Sequence, residues 1–330
     1  MPDRCIARVM RAHGANAWVE VNAEAMVLAQ LKGRSIEAIT NDRVVLDRQT
    51  DPPQITEILE RRNSLLRQEG HREKRLAANI DLALLILSGE PSFSPETTLR
   101  VMAGLVAQQI PFLLVVNKSD LDGPTQMALK SLSRIQPMPE TAPEWPWILA
   151  NTKQVNGLDA LHQEIELNCP AVSSSESSSI ALMGESGMGK SSLLNLLVPD
   201  ANAQTQAISE ALSSGRHTTT SSQAYRMPQA PGKRSLRLID TPGFQRFGIS
   251  HLDREDVASV FPEWSWLQQG GSCRFQDCAH LHEPGCVVQA AIKTAVDAGQ
   301  LARANALEDK RILWERLLSS ANAPNRRSTR

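Results

Sequence analysis

No stretch of this chain approaches the roughly 20 consecutive apolar residues that a membrane-spanning helix needs. Residues Met1 to Met10 carry charge where a secretory leader would be apolar. A cytoplasmic address with no membrane partner is therefore the expectation. The chain also lacks an excess of either charge: 35 basic against 36 acidic residues give a formal net charge of -1. Contact with nucleic acid must then come from local clusters of Lys and Arg rather than from the overall sign. Cysteines number only five; Cys5 and Cys169 stand alone while Cys273, Cys278 and Cys286 cluster, which favours a metal site over a disulfide framework. There is no internal repeat.

What is present suffices for two or three domains, since 41% of the 330 residues are hydrophobic. From about Ile6 to Asn63, short apolar runs such as Ala17 to Val21 and Val44 to Leu46 are punctuated by Gly14, Gly33 and Asn41-Asp42, a pattern that predicts a small β-barrel. A basic stretch follows with Arg61, Arg62, Arg67, Arg72, Lys74 and Arg75; a solvated connector is the plain reading and nucleic-acid contact the alternative. From Asn79 the pattern becomes strand, helix, strand, which implies a parallel sheet covered by helices. Ser173 to Ser179 reads as a flexible joint. Beyond Phe261 the chain is Gly- and Cys-rich, then helical from about Val287, with a basic tail from Asn325 to Arg330.

Gly184-Glu185-Ser186-Gly187-Met188-Gly189-Lys190-Ser191 is a phosphate loop between the apolar strand Ile180 to Met183 and the apolar run Leu193 to Leu197. Its glycines let backbone N–H groups turn inward around a phosphate, and the helix N-terminus adds its positive dipole end. Lys190 is expected to bridge the β- and γ-phosphates and Ser191 to ligate Mg²⁺. Leu236 to Gly243 supplies a second element: a strand delivering Asp240 to the Mg²⁺ shell and Gly243 to the γ-phosphate.

Asn117-Lys118-Ser119-Asp120 closes another apolar strand and reads the base. The Asp120 carboxylate can accept both N–H groups on guanine's Watson–Crick edge; adenine has no matching donor pair. Sites built on such bonds discriminate by roughly 10⁴-fold or more, so GTP is preferred to ATP. The base-reading segment precedes the phosphate loop, the reverse of the common order. The chain therefore continues after the phosphate-sensing segments, where a downstream part can be moved by nucleotide state.

Gly215-Arg216-His217-Thr218-Thr219-Thr220 is a candidate switch loop whose threonines, Thr219 among them, could meet Mg²⁺ and the γ-phosphate. His217 could orient water or shuttle a proton; an inert loop histidine is the alternative. Ras-type enzymes orient the attacking water with a glutamine, where this chain has Phe244. Gly187 occupies the place of an Asn that helps hold potassium in some GTPases, so no potassium dependence is expected. Cys273-(four residues)-Cys278-Ala279-His280-(five residues)-Cys286 suits tetrahedral Zn²⁺ with no open position, a structural site; free cysteines, an iron cluster, or His282 in place of His280 are the alternatives. Trp264 and Trp266 read as apolar anchors beside it.

The rotated motif order, Gly-Arg-His-Thr-Thr-Thr, Asp-Thr-Pro-Gly-Phe and the Cys-Cys-His-Cys spacing together resemble the RsgA (YjeQ) family of circularly permuted GTPases, which act in small ribosomal subunit biogenesis. The resemblance implies a circularly permuted α/β P-loop GTPase domain with an N-terminal OB-fold β-barrel and a small C-terminal zinc-binding helical domain. On this chain the domains are expected over 1–70, 71–250 and 251–330. It implies nucleotide contacts at Asn117 to Asp120 and Gly184 to Ser192, zinc ligands Cys273, Cys278, His280 and Cys286, and a catalytic histidine at His217. Asn151-Thr152 stands where the family carries Ser-Ala in its second base-contacting loop, and Asn41-Asp42 where it carries Gly-Asp. The implied activity is GTP hydrolysis to GDP and phosphate, stimulated by the small subunit, in a monomer whose outer domains grip ribosomal RNA. A non-hydrolysing GTP-gated RNA- or protein-binding module is the competing class. Arg303, Lys310, Arg311, Arg316, Arg326, Arg327 and Arg330 are further RNA-contact candidates, or else helix-solvating charges.

Overall fold

The computed structural model describes residues 4–21, 25–33, 36–69, 72–154, 156–169, 177–201, 222–228, 235–244 and 247–321. Five strands, β1 (Arg4–His13), β2 (Asn16–Val21), β3 (Ala25–Leu31), β4 (Arg43–Asp47) and β5 (Gln54–Ile58), close into a barrel of order β1-β2-β3-β5-β4. Alternation places Val9, Val19, Val44, Leu46 and Ile55 inside it, all fully buried. The N-terminal barrel expected from the short apolar runs is thus present.

The basic stretch after the barrel is not a plain connector. It folds as an antiparallel hairpin, β6 (Ser64–Glu69) and β7 (Arg72–Ala78), so a boundary at residue 70 would separate two paired strands. Leu65, Ala77 and Ala78 bury its base. Arg61 and Arg62 are held by ion pairs, each at 2.7 Å, to Asp42 and Asp81.

The central sheet has order β10-β9-β8-β11-β13-β12. Its elements run β8 (Leu82–Leu87), α1 (Pro95–Ala107), β9 (Phe112–Val116), α2 (Asp122–Ser133), β10 (Trp147–Leu149), α3 (Asp159–Asn168), β11 (Ser178–Met183), α4 (Lys190–Leu197), β12 (Gln223–Arg226) and β13 (Leu236–Asp240). All neighbours pair parallel except β12, which runs antiparallel to β13 at the edge. Strands β8, β9 and β11 are buried along their full length, as expected of a sheet covered on both faces. The base-reading and phosphate-binding halves, rotated in sequence, meet at the β8–β11 seam, with Leu82 opposite Ile180 and Leu85 opposite Met183.

Four helices follow: α5 (Arg254–Ala258), α6 (Pro262–Gln268), α7 (Val287–Asp297) and α8 (Leu301–Leu318). Asp253 and Asp256 form a reciprocal capping box at the start of α5. Phe261 stacks on Trp264 and meets Trp314 edge-on, at centroid distances of 5.8 and 5.5 Å. Trp264 anchors this cluster as expected, whereas Trp266 lies partly exposed under Arg303. The basic residues of α8 are spoken for: Arg303 pairs with Glu140, Lys310 with buried Glu263, Arg311 with Glu308 and Arg316 with Glu96. Arg326, Arg327 and Arg330 lie outside the described residues.

Candidate nucleotide and metal sites

β11 ends at Met183 and α4 begins at Lys190; the phosphate loop is the turn between them. Gly189 sits at φ 98° as the N-cap of α4, and a Cβ there would lie 2.2 Å from Asn117 Nδ2, so the position excludes any side chain. No side chain caps α4, which leaves its first N–H groups and dipole facing the loop. Ser191 and Ser192 stand exposed on that first turn. Lys190 Nζ folds back to donate to the Gly184 and Glu185 carbonyls at 2.7 and 2.9 Å. Burial holds its pKa below the ordinary range, against the pull of Asp240 and Glu185.

β13 delivers Asp240 beside this lysine. Burial pushes its carboxyl up to about 6, opposed by Lys190. Beyond it, Thr241 Oγ1 donates to the Leu182 carbonyl at 2.6 Å and fastens the Asp-Thr-Pro-Gly turn against β11. A Cβ on Gly243 would sit 3.0 Å from Lys190 Nζ and 3.3 Å from Ser186 Oγ, which measures how closely the turn approaches the loop. Phe244 is buried and packs edge-on against Phe247 at 5.6 Å.

The base-reading segment leaves β9 into direct contact with the phosphate loop. Asn117 Nδ2 donates to the Met188 carbonyl at 3.0 Å; Lys118, at φ 63°, donates from Nζ to the Gly187 carbonyl at 2.8 Å and the Glu90 carbonyl at 2.5 Å. Asn117 Oδ1 is buried with no hydrogen-bond partner among the described residues. Ser119 N–H reaches the Ala150 carbonyl at 3.2 Å, joining this segment to the loop of Asn151 and Thr152. Two sequence segments some 70 positions apart are therefore one surface. His217 and Thr219, with the rest of the candidate switch loop, lie outside the described residues.

The C-terminal cluster is equally definite. One ligand atom each from Cys273, Cys278, His280 and Cys286 lies within 4.8 Å of all the others. His280 Nδ1 is 3.6, 3.6 and 3.5 Å from the three sulfurs in chain order. Tetrahedral bonds of about 2.3 Å to sulfur and about 2.0–2.1 Å to nitrogen require an S···N edge of about 3.6 Å. The donor set thus fits a zinc ion, with three sulfurs and one nitrogen leaving no open position. His282 is exposed and outside the cluster.

Three contacts escaped the sequence reading. Glu283 folds the knuckle: its carboxylate accepts the N–H groups of Ala279, Leu281 and His282 at 2.7, 2.9 and 3.1 Å, which sets His280 at φ 63°. Its place between His280 and Cys286 was the available signal. Glu185 of the phosphate loop accepts the backbone N–H of Ser94, the N-cap of α1, at 2.9 Å. Lys153 pairs with Asp120 at 2.8 Å.

The RsgA GTPase family model matches residues 58–250. The "Small ribosomal subunit biogenesis GTPase RsgA" of Paraburkholderia xenovorans is 35% identical over 316 residues, covering 95% of this chain and 92% of the relative. The protein of the same name from Bordetella pertussis is 36% identical over 296 residues, covering 89% and 92%. Among solved structures, YjeQ from Thermotoga maritima aligns at TM-score 0.62 and 23% identity over 96% of this chain and 99% of its own. YloQ, described as a circularly permuted GTPase, aligns at TM-score 0.57 and 22% identity over 95% and 96%. No helix among the described residues is long and apolar enough to cross a membrane. With its central portion matched by the family model and nearly its whole length by family members, the chain belongs to the RsgA GTPase family.

Proposed function

We propose that this chain hydrolyses GTP to GDP and phosphate as a late assembly factor of the small (30S) ribosomal subunit, binding ribosomal RNA and acting fastest on the subunit. One observation carries the reading: Lys190, Asp240 and Gly243 converge on a phosphate loop that is hydrogen-bonded to the Asn117 to Asp120 segment, while Phe244 is turned into the core. The names of the relatives supply the ribosomal partner.

In this reading Asp120 pairs with the two N–H groups of guanine, Asn117 braces the loop against the purine, Lys118 covers the ring and the Asn151–Thr152 backbone faces the guanine oxygen. Gly184 to Gly189 wrap the phosphates, and Lys190 leaves the Gly184 and Glu185 carbonyls for the β- and γ-phosphate oxygens. Ser191, Asp240 and Thr219 would hold Mg²⁺, which when bound neutralises charge on the β- and γ-oxygens. The buried carboxyl of Asp240, held near pH 6 beside one lysine, suits such a cation. Gly243 N–H faces the γ-phosphate. A buried phenyl ring cannot orient water, so the attacking water's proton goes to His217 once the subunit brings it against the water. The zinc ion serves structure. A monomer in the cytoplasm fits this role.

Single-turnover phosphate release, measured with and without purified small subunits, tests the proposal. Acceleration by the subunit is expected. Equal rates would overturn stimulation by the subunit, and no release in either case, with GTP bound, would leave a nucleotide-gated binding module instead.

A further inference from the structure

Asp120 does not wait open. Lys153 Nζ lies 2.8 Å from its Oδ2, reaching across from the loop that follows β10 (Trp147–Leu149). The root of that lysine is fixed: its backbone N–H donates to Asn151 Oδ1 at 2.9 Å, and Asn151 N–H donates to the Gly157 carbonyl at 3.0 Å. Asn151 is buried. The side chain is not fixed, since Lys153 is 69% exposed and makes no other polar contact through Nζ among the described residues, whereas the Asp120 side chain is only 19% exposed. The hydrogen bond from Lys153, more than any other influence, holds the Asp120 carboxyl below its ordinary pKa.

Resting on the guanine reading above, we propose that Lys153 is a displaceable counter-ion for Asp120, which competes with guanine for the carboxylate and lowers the affinity of the site for guanine nucleotides. A purine presenting two parallel N–H donors needs both carboxylate oxygens, and Lys153 occupies one of them. The ammonium must swing off Oδ2 before the base seats, a motion its exposed stem permits without moving the loop. While the site is empty, the same contact neutralises a carboxylate that would otherwise repel incoming phosphates.

The test is GDP affinity by titration calorimetry for the full chain, for Lys153→Met, which keeps the stem and loses the charge, and for Lys153→Arg. An exposed ion pair is worth little, so Lys153→Met should tighten GDP binding by about 2- to 5-fold at low salt. The difference should shrink towards unity near 1 M NaCl, where the screening length is only about 3 Å. Lys153→Arg should resemble the native chain. In an Asp120→Asn background, titrated with XDP, Lys153→Met should change nothing, because the carboxylate it competes for is gone. Unchanged or weaker GDP binding by Lys153→Met overturns the proposal while leaving guanine recognition intact. A native chain that fails to prefer GDP over ADP overturns both.

Discussion

Glu20 on β2 accepts a hydrogen bond at 2.5 Å from Arg237, three residues before Asp240 on β13. Both side chains are buried, and Arg226 of the edge strand β12 donates to the other Glu20 oxygen. Beside them Thr40 Oγ1 donates to the Ser222 carbonyl at 2.8 Å. The barrel is thus clamped to the strand pair that leads out of the candidate switch loop and into the Asp240 turn.

Removing one partner of a buried charge pair strands the others. Glu20→Gln should therefore cost about 3 kcal/mol in chemical denaturation. Burial alone would raise the Glu20 pKa, but Arg237 and Arg226 together hold it below its ordinary 4.5. Its contribution is then complete above pH 4.5 and is lost as pH falls through the lower folded value. The stability gap between native chain and variant should narrow below pH 4.5; a gap that is constant down to pH 3 would mean that the ionised carboxylate is not what joins the domains.

Asp240 has the opposite sign. Its folded pKa of about 6 lies above the ordinary 3.8, so the ionised form is the strained one in the free chain. The resulting stability is present below pH 3.8 and lost as pH rises to 6. Asp240→Asn should accordingly stabilise the nucleotide-free chain by roughly 1–2 kcal/mol at pH 7.5, while abolishing the Mg²⁺ dependence of GTP affinity. In the native chain that Mg²⁺ dependence should fade below pH 6. Thermal melts and nucleotide titrations with and without Mg²⁺ check both halves; destabilisation of the free chain by the asparagine would contradict the burial account.

What the sequence made legible was contiguous. The phosphate loop, the Asn117 to Asp120 segment, the Asp240 turn and the Cys/His cluster each carry their chemistry within a few residues, so spacing alone locates them. What it hid depends on chain reversal. In sequence Arg61 and Arg62 read as a solvated connector or, alternatively, as nucleic-acid contacts; neither reading contains Asp42 and Asp81, which the fold brings to them from elsewhere, as it brings Glu140, Glu263 and Glu96 to Arg303, Lys310 and Arg316. The β6–β7 hairpin hid inside a basic run because its buried side, Leu65 with Ala77 and Ala78, is too short to stand out as alternation.

Removing the metal should be visible by fluorescence. The His280 ring lies 5.8 Å from Trp264 and 6.0 Å from Trp314, whose Nε1 donates to the Ala279 carbonyl at 2.7 Å. Small zinc sites contribute roughly 10–16 kcal/mol of apparent binding energy, so a strong chelator should redden the tryptophan emission as the knuckle opens. Glu283→Ala deletes the carboxylate that gathers three N–H groups of the ligand loop and should weaken zinc retention by about 10-fold. Competition with a chromophoric chelator reads this directly. Equal retention would mean that the four ligands alone shape the loop.

His217 should separate binding from turnover. Phe244 is packed against Phe247, so the Asp-Thr-Pro-Gly-Phe turn supplies no side chain to the attacking water. A general base contributes typically 10²–10⁴-fold. His217→Ala should therefore keep GTP affinity within about 2-fold, since no phosphate or base contact is lost, and lower subunit-stimulated turnover by roughly 100-fold or more. Lys190→Ala is the contrasting case, losing nucleotide affinity itself. Stimulated single-turnover rates for the three proteins distinguish these outcomes, and an unchanged rate in His217→Ala would assign the water's proton to a group on the subunit.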